Sequence, residues 1–240
     1  MGHAFEETNE ALLADVTPEQ VWEAIATGPG IDSWFMGVNE VEPGAVVRGA
    51  FNGYEPRHGI TAWEPGKHLA YGGEKAPDGR FMAYEFLIEG RDHGSTVLRM
   101  VAGGFLPGDD WQDEFEAMTA GGAMFWRTLL EYLGHFAGRT ARPVTVIGPE
   151  VTDWPALWSA LHRKLGLTTP PRIGDTATVD GERGVVYYVN SQTIGIRTPD
   201  AMYRFFQGIT GVLIAMHHVF ADDQRDDHAW SVWLNDLAVL

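Results

Sequence analysis

From Phe81 to Ile88 the chain alternates: Met82, Tyr84, Phe86 and Ile88 fall on one face, while Glu85, continued by Glu89, falls on the other. A period of two is that of a half-buried strand. Val97 to Ala102 carries a matching alternation, with Leu98 and Met100 on one face and Arg99 on the opposite one, so the two segments are expected to pair. Between Val38 and Ala102, short strand-like segments are separated by Pro43-Gly44, Asn52-Gly53, Pro65-Gly66, Pro77-Asp78-Gly79 and His93-Gly94. No helix-length segment intervenes, which predicts an antiparallel meander rather than βαβ units.

Helical signals flank this run. Residues 5–14 read as a strand, apolar at Ala11, Leu12 and Leu13, and lead into Thr17-Pro18-Glu19-Gln20. Thr at the cap, Pro at the first helical position and Gln three residues after the cap predict a capping box. Val21, Trp22 and Ile25 then share one side, and Gly28-Pro29-Gly30 is expected to stop the helix. A short second helix is expected to carry Ile31, Trp34 and Phe35. A longer helix begins in the acidic cluster Asp109, Asp110, Asp113 and Glu114, where the helix dipole favours carboxylates. Phe115, Met118, Gly122, Phe125, Leu129, Leu133 and Phe136 recur along it at spacings of three and four, and Gly138 ends it.

The second half echoes the first. Val21-Trp22-x-x-Ile25 returns as Leu157-Trp158-x-x-Leu161, with Asp153 at the cap, and Trp126-x-x-x-Leu130-x-x-Leu133 returns as Trp230-x-x-x-Leu234-x-x-Leu237. Strand-like segments lie between at Asp175–Val179, Gly184–Val189, Thr193–Arg197, Met202–Phe206 and Val212–Val219. The interval from Trp158 to Trp230 is shorter than that from Trp22 to Trp126 by the length of several strands with their turns. Two readings stand: a degenerate duplication, favoured here, and chance similarity in a common amphipathic pattern. The duplication predicts one unit over 1–138 and a truncated repeat over 139–240 packed on it.

The order of these segments resembles a known family. V-T-P-E-Q-V-W-E-A-I (16–25) followed by I-D-S-W-F (31–35) is similar to the opening of the SRPBCC superfamily, which includes START-like lipid-binding domains, the birch pollen allergen fold and polyketide cyclase-like proteins. W-E-P-G-K-H-L-A-Y (63–71) and G-G-A-M-F-W-R-T-L-L-E-Y-L (121–133) resemble its heat-shock chaperone ATPase activator homologue-like branch. The resemblance covers residues 1–138 well and the remainder weakly. It implies an α+β helix-grip fold: a curved antiparallel sheet around a long C-terminal helix, followed here by a shortened second α+β unit. It also implies a cavity for an apolar or amphipathic small molecule, and it carries no shared catalytic residues. The branch name is poor evidence of chaperone work.

Composition narrows the function classes. The chain has 240 residues and a net charge of −16, which disfavours a phosphate backbone as partner. There is no Cys, so disulfides and Cys-based zinc sites are excluded. No apolar run reaches membrane-spanning length, and the opening MGHAFEETNE lacks the basic and apolar regions of a signal peptide, so a bacterial-type cytoplasmic protein is expected.

The candidate cavity residues are Trp34, Tyr84, Phe86, Met100, Met118, Gly122 and Phe125. Two consecutive glycines inside a helix, Gly121 and Gly122, cost ~1 kcal/mol each relative to Ala, which suggests that room is needed there. A dry, fully packed core stands beside this reading for each residue. No phosphate loop, nucleophile elbow or H-E-x-x-H helix occurs, so no catalytic residue is assigned; Ala102-Gly103-Gly104 reads as a strand-to-helix turn. His217, His218, Asp222, Asp223, Asp226, Asp227 and His228 form the densest metal-like cluster. The favoured reading is an acidic helix start, with no metal and no cofactor. Glu85 and Arg99 are expected to face each other on neighbouring strands as an exposed pair. A hydrophobic small molecule is therefore the expected partner, without nucleic acid or membrane insertion, and a protein partner is left open. A cyclase- or hydratase-like enzyme is the alternative, to be recognised by a titratable group with a displaced pKa inside the cavity, for which Tyr84 is the inward-phase candidate. An interaction module would instead show an exposed apolar patch.

Overall fold

The computed structural model describes residues 2–50, 55–108, 111–167, 170–208, 211–221 and 227–238, apart from the side chains of residues 93, 113, 114, 117 and 238. The chain divides into two compact units, Met1–Thr140 and Ala141–Leu240.

The first unit runs β1 (His3–Leu13), α1 (Pro18–Ala26), α2 (Gly28–Ile31), β2 (Val38–Glu42), β3 (Val46–Ala50), β4 (Arg57–Glu64), β5 (His68–Gly73), β6 (Phe81–Arg91), β7 (Ser95–Leu106) and α3 (Trp111–Phe136). Its strands form one antiparallel sheet in the order β1-β7-β6-β5-β4-β3-β2. Thus β2 to β7 form a meander, and β1 adds to the far edge by pairing with β7. This is the α+β helix-grip architecture, with α3 as the long C-terminal helix.

Local chemistry starts the helices. The Gln20 N–H donates to Thr17 Oγ1 at 3.3 Å, and the Thr17 N–H donates to Gln20 Oε1 at 2.9 Å. These reciprocal bonds satisfy two donors that the first turn of α1 leaves unpaired. Gly28-Pro29-Gly30 does not merely stop α1; it forms α2. Thr27 caps that turn by accepting from the Gly30 N–H at 3.0 Å, and Pro29 sits where its missing N–H is not needed. Trp34 and Phe35 follow α2 rather than lying within it. Ala102-Gly103-Gly104 is likewise not a turn, since β7 continues through it to Leu106. A Cβ at Gly104 would come within 2.4 Å of the Phe81 carbonyl oxygen, so close strand approach explains this glycine. Glu85 and Arg99 are not partners. The register sets Leu87 opposite Arg99; Glu85 instead meets His68 Nε2 at 2.8 Å, and Arg99 meets Glu10 at 2.6 Å.

The second unit runs β8 (Arg142–Glu150), α4 (Trp154–Lys164), β9 (Thr176–Val179), β10 (Glu182–Val189), β11 (Thr193–Arg197), β12 (Ala201–Gln207), β13 (Val212–Val219) and α5 (Asp227–Ala238). Its sheet order, β8-β13-β12-β11-β10-β9, follows the same plan: a meander whose last strand pairs with the first. Among the described residues the expected loss of several strands is corrected to one, six strands against seven, because the shortening also falls on strand lengths and on the closing helix. Leu157 and Leu161 of α4 and Trp230, Trp233, Leu234 and Leu237 of α5 join Val186, Ile194, Tyr203 and Phe205 in one apolar core.

Candidate functional site

The long helix α3 has two different halves. Toward its C-terminus Leu129, Tyr132, Leu133 and Phe136 are buried among core side chains. Toward its N-terminus Phe115, Met118, Gly121, Gly122 and Phe125 line a cavity of about 400 Å³ between helix and sheet. That volume suits a small organic ligand.

Strand register builds the opposite wall. Tyr71, Tyr84, Ala102 and Glu7 occupy one row across β5, β6, β7 and β1, and Phe86, Met100 and Asn9 occupy the next. Every side chain in these two rows lines the cavity. Trp34 closes one end, its indole N–H donating to the Ala24 carbonyl at 2.9 Å, and Phe35 packs on Phe125 with ring centroids 4.5 Å apart. At the start of α3, His3 stacks on Trp111 at 4.0 Å and Phe5 meets Phe115 edge-on at 5.5 Å. These contacts hold the helix over β1.

All seven residues singled out from the sequence (Trp34, Tyr84, Phe86, Met100, Met118, Gly122 and Phe125) line this one cavity. The paired glycines leave space: a Cβ at Gly121 would have no neighbour within 4 Å, and one at Gly122 would meet only Glu7 Oε2, at 3.9 Å.

Sequence reasoning missed the polar part of the wall. His58, Tyr71, Thr119, Glu7 and Asn9 also line the cavity. The inward positions of β1 include Phe5, Glu7 and Asn9, and the outward ones Glu6, Thr8 and Glu10, so hydropathy shows no alternation there. Burial depresses the His58 pKa and keeps its imidazole neutral. It pushes the Tyr71 phenol well up, and the neighbouring Tyr84 adds to that rise. Two of the inward titratable groups, His58 and Tyr71, are therefore held in their uncharged forms.

The His217 to His228 cluster is different in kind. Asp222, Asp223 and Asp226 lie outside the described residues. His217 and His218 point to opposite faces of the second sheet and are both fully buried. His217 sits against Trp230 at 4.3 Å between ring centroids, while His218 Nδ1 lies 3.1 Å from Arg204. Among the described residues no group of three or more His, Asp or Glu is placed to hold a metal ion. No helix among them is long and apolar enough to cross a membrane.

Similar solved structures include a protein from Mesorhizobium loti, at 24% identity over 54% of this chain and 96% of that one, with a TM-score of 0.45. An Aha1 dimer from Colwellia psychrerythraea matches at 18% identity over 54% and 96%, with a TM-score of 0.44. The di-domain ARO/CYC protein BexL from the BE-7585A biosynthetic pathway matches at 11% identity over 90% and 85%, with a TM-score of 0.45. A search of curated proteins returned no match. The model of the family described as activator of Hsp90 ATPase homolog 1-like protein matches residues 15–134, half of the chain. The span runs from the turn after β1 to the closing helix, and the chain belongs to that family.

Proposed function

We propose that the first unit binds an apolar or amphipathic small molecule between its sheet and α3. The observation that carries this reading is the roughly 400 Å³ cavity, walled mainly by aromatic and Met side chains and left open at Gly121 and Gly122. Met118, Met82 and Met100 give that wall adaptable, polarisable side chains. Titration with an environment-sensitive apolar fluorophore tests it. Saturable binding of one probe per chain with a raised melting midpoint supports the pocket; no binding across such probes rejects it.

A second reading, a cyclase- or hydratase-like enzyme, draws support from His58. A neutral imidazole beside a bound ligand is in the form a general base requires. Conversion of a bound hydroxy-aromatic compound on prolonged incubation would favour the enzyme, and recovery of the compound unchanged would favour binding alone. The interaction-module reading has less support. Leu12 and Val38, the large apolar side chains exposed on the described first unit, lie on the two edge strands β1 and β2 rather than in one patch.

A further inference from the structure

Two residues of the cavity wall each carry a polar atom that is sealed from solvent and has no hydrogen-bond partner: His58, on β4, at Nδ1, and Thr119, on α3, at Oγ1. Buried polar atoms are nearly always paired, because an unpaired one forfeits its hydration without return. Here two occur in the wall of one cavity, one on the sheet and one on the helix. Thr119 could have bonded to the helix carbonyl one turn back, as Thr128 does to Met124 at 2.8 Å, and it does not. His58 packs against Tyr71 and Tyr84 at 5.9 and 6.3 Å between ring centroids.

The charge of the wall is one-sided. Glu7 is its single charged side chain among the described residues, and no Arg or Lys lines it. A carboxylate ligand would meet a like charge and no cation, at the cost of its own hydration. A neutral hydroxyl, by contrast, can both donate and accept, which suits a neutral imidazole and a threonine hydroxyl.

We infer that the ligand of this cavity is an uncharged, largely apolar molecule bearing a hydroxyl group, held by the His58 imidazole on the sheet and the Thr119 hydroxyl on the helix. This rests on the small-molecule reading above and adds the ligand's polar chemistry to it. It also assigns His58 and Thr119 as specificity-determining residues. The same wall disfavours fatty-acid and other carboxylate anions.

The test is a ranked set of three probes of one shape, measured by calorimetry on the full chain at neutral pH: 1-naphthol, 1-methylnaphthalene and 1-naphthoate. The expected order places the naphthol about tenfold tighter than the methyl compound, the yield of one or two newly satisfied buried groups. Naphthoate is expected to bind weakest. His58→Leu and Thr119→Val should each erase much of the naphthol preference while leaving 1-methylnaphthalene affinity within about twofold, which also reports that the pocket is intact. Equal affinity for naphthol and methylnaphthalene, or naphthoate as the tightest probe, would overturn the inference while leaving the pocket standing. Failure of all three probes to bind would overturn the pocket reading and the inference with it. If either variant fails to fold, the ranking on the unmodified protein still decides.

Discussion

Tyr71 and Tyr84 stand opposite each other on β5 and β6, their ring centroids 5.6 Å apart, at the centre of the cavity's sheet wall. Burial raises the cost of ionising Tyr71, and the neighbouring Tyr84 phenol adds to it. Tyr71 therefore has its pKa pushed well above the ordinary tyrosine value near 10. In an alkaline absorbance titration of the folded protein, at least one of the seven tyrosines should resist ionisation until the chain unfolds. Tyr71→Phe should remove that late component. Complete titration of every tyrosine near pH 10 in the folded protein would contradict this placement.

His217 gives the acid limb of stability. Burial, with smaller contributions from Arg204 and Arg142, pushes its pKa down from 6.5 to about 3. The unfolded chain therefore binds a proton that the folded chain refuses between about pH 6.5 and pH 3. The stabilisation is fully present above the unfolded value and is lost as pH falls through that window. The slope from this one group is at most about 1.4 kcal/mol per pH unit. His217→Phe removes the titration while keeping a ring against Trp230, so its melting midpoint should fall less steeply between pH 7 and pH 4 than that of the parent. Parallel pH profiles would show that His217 is protonated in the folded state.

The two halves of α3 should respond differently to truncation. Leu129 is 0% exposed and lies in the packed half, so Leu129→Ala should cost about 2–5 kcal/mol in denaturant melts. Phe125 borders the cavity. Phe125→Ala should cost less than the usual ~3–5 kcal/mol for a buried phenylalanine and should enlarge the probe site. Equal penalties at the upper end of that range would mean that the N-terminal half is packed as tightly as the rest.

Metal removal should leave the melting midpoint unchanged. His217 and His218 are occupied within the folded core, one against Trp230 and the other beside Arg204. A drop of several degrees on adding a chelator would restore a metal role to the acidic segment that follows them.

How far the sequence could be read differs by element, for physical reasons. The Met82-Tyr84-Phe86 face of β6 was legible because its opposite face carries Glu85 and Glu89, so hydropathy reports the pleat. The caps at Thr17 and Asp153 were legible because capping is local; Asp153 accepts from the Ala156 N–H at 2.9 Å. By contrast β1 turns Glu7 and Asn9 inward, and a cavity that takes polar side chains breaks the rule that inward means apolar. His58 and Tyr71 were missed for a related reason: their inward direction depends on strand register, and register is a tertiary property. The strand β8, which pairs with β13 as β1 pairs with β7, escaped notice. Its Pro143, Gly148 and Pro149 are residues that usually argue against a strand.

The proposed ligand occupies the space beneath Gly122. The most direct measurement is probe binding and thermal melting of the parent and Gly122→Trp side by side. A tryptophan there enters volume in which the new Cβ meets only Glu7 Oε2. The parent should bind an apolar fluorophore and gain ~2.7 kcal/mol at a hundredfold excess over its dissociation constant. Gly122→Trp should stay folded near the parent's midpoint and no longer bind. A parent that binds nothing, together with a Gly122→Trp protein destabilised by the ~1–3 kcal/mol or more typical of an overpacked core, would contradict the pocket reading.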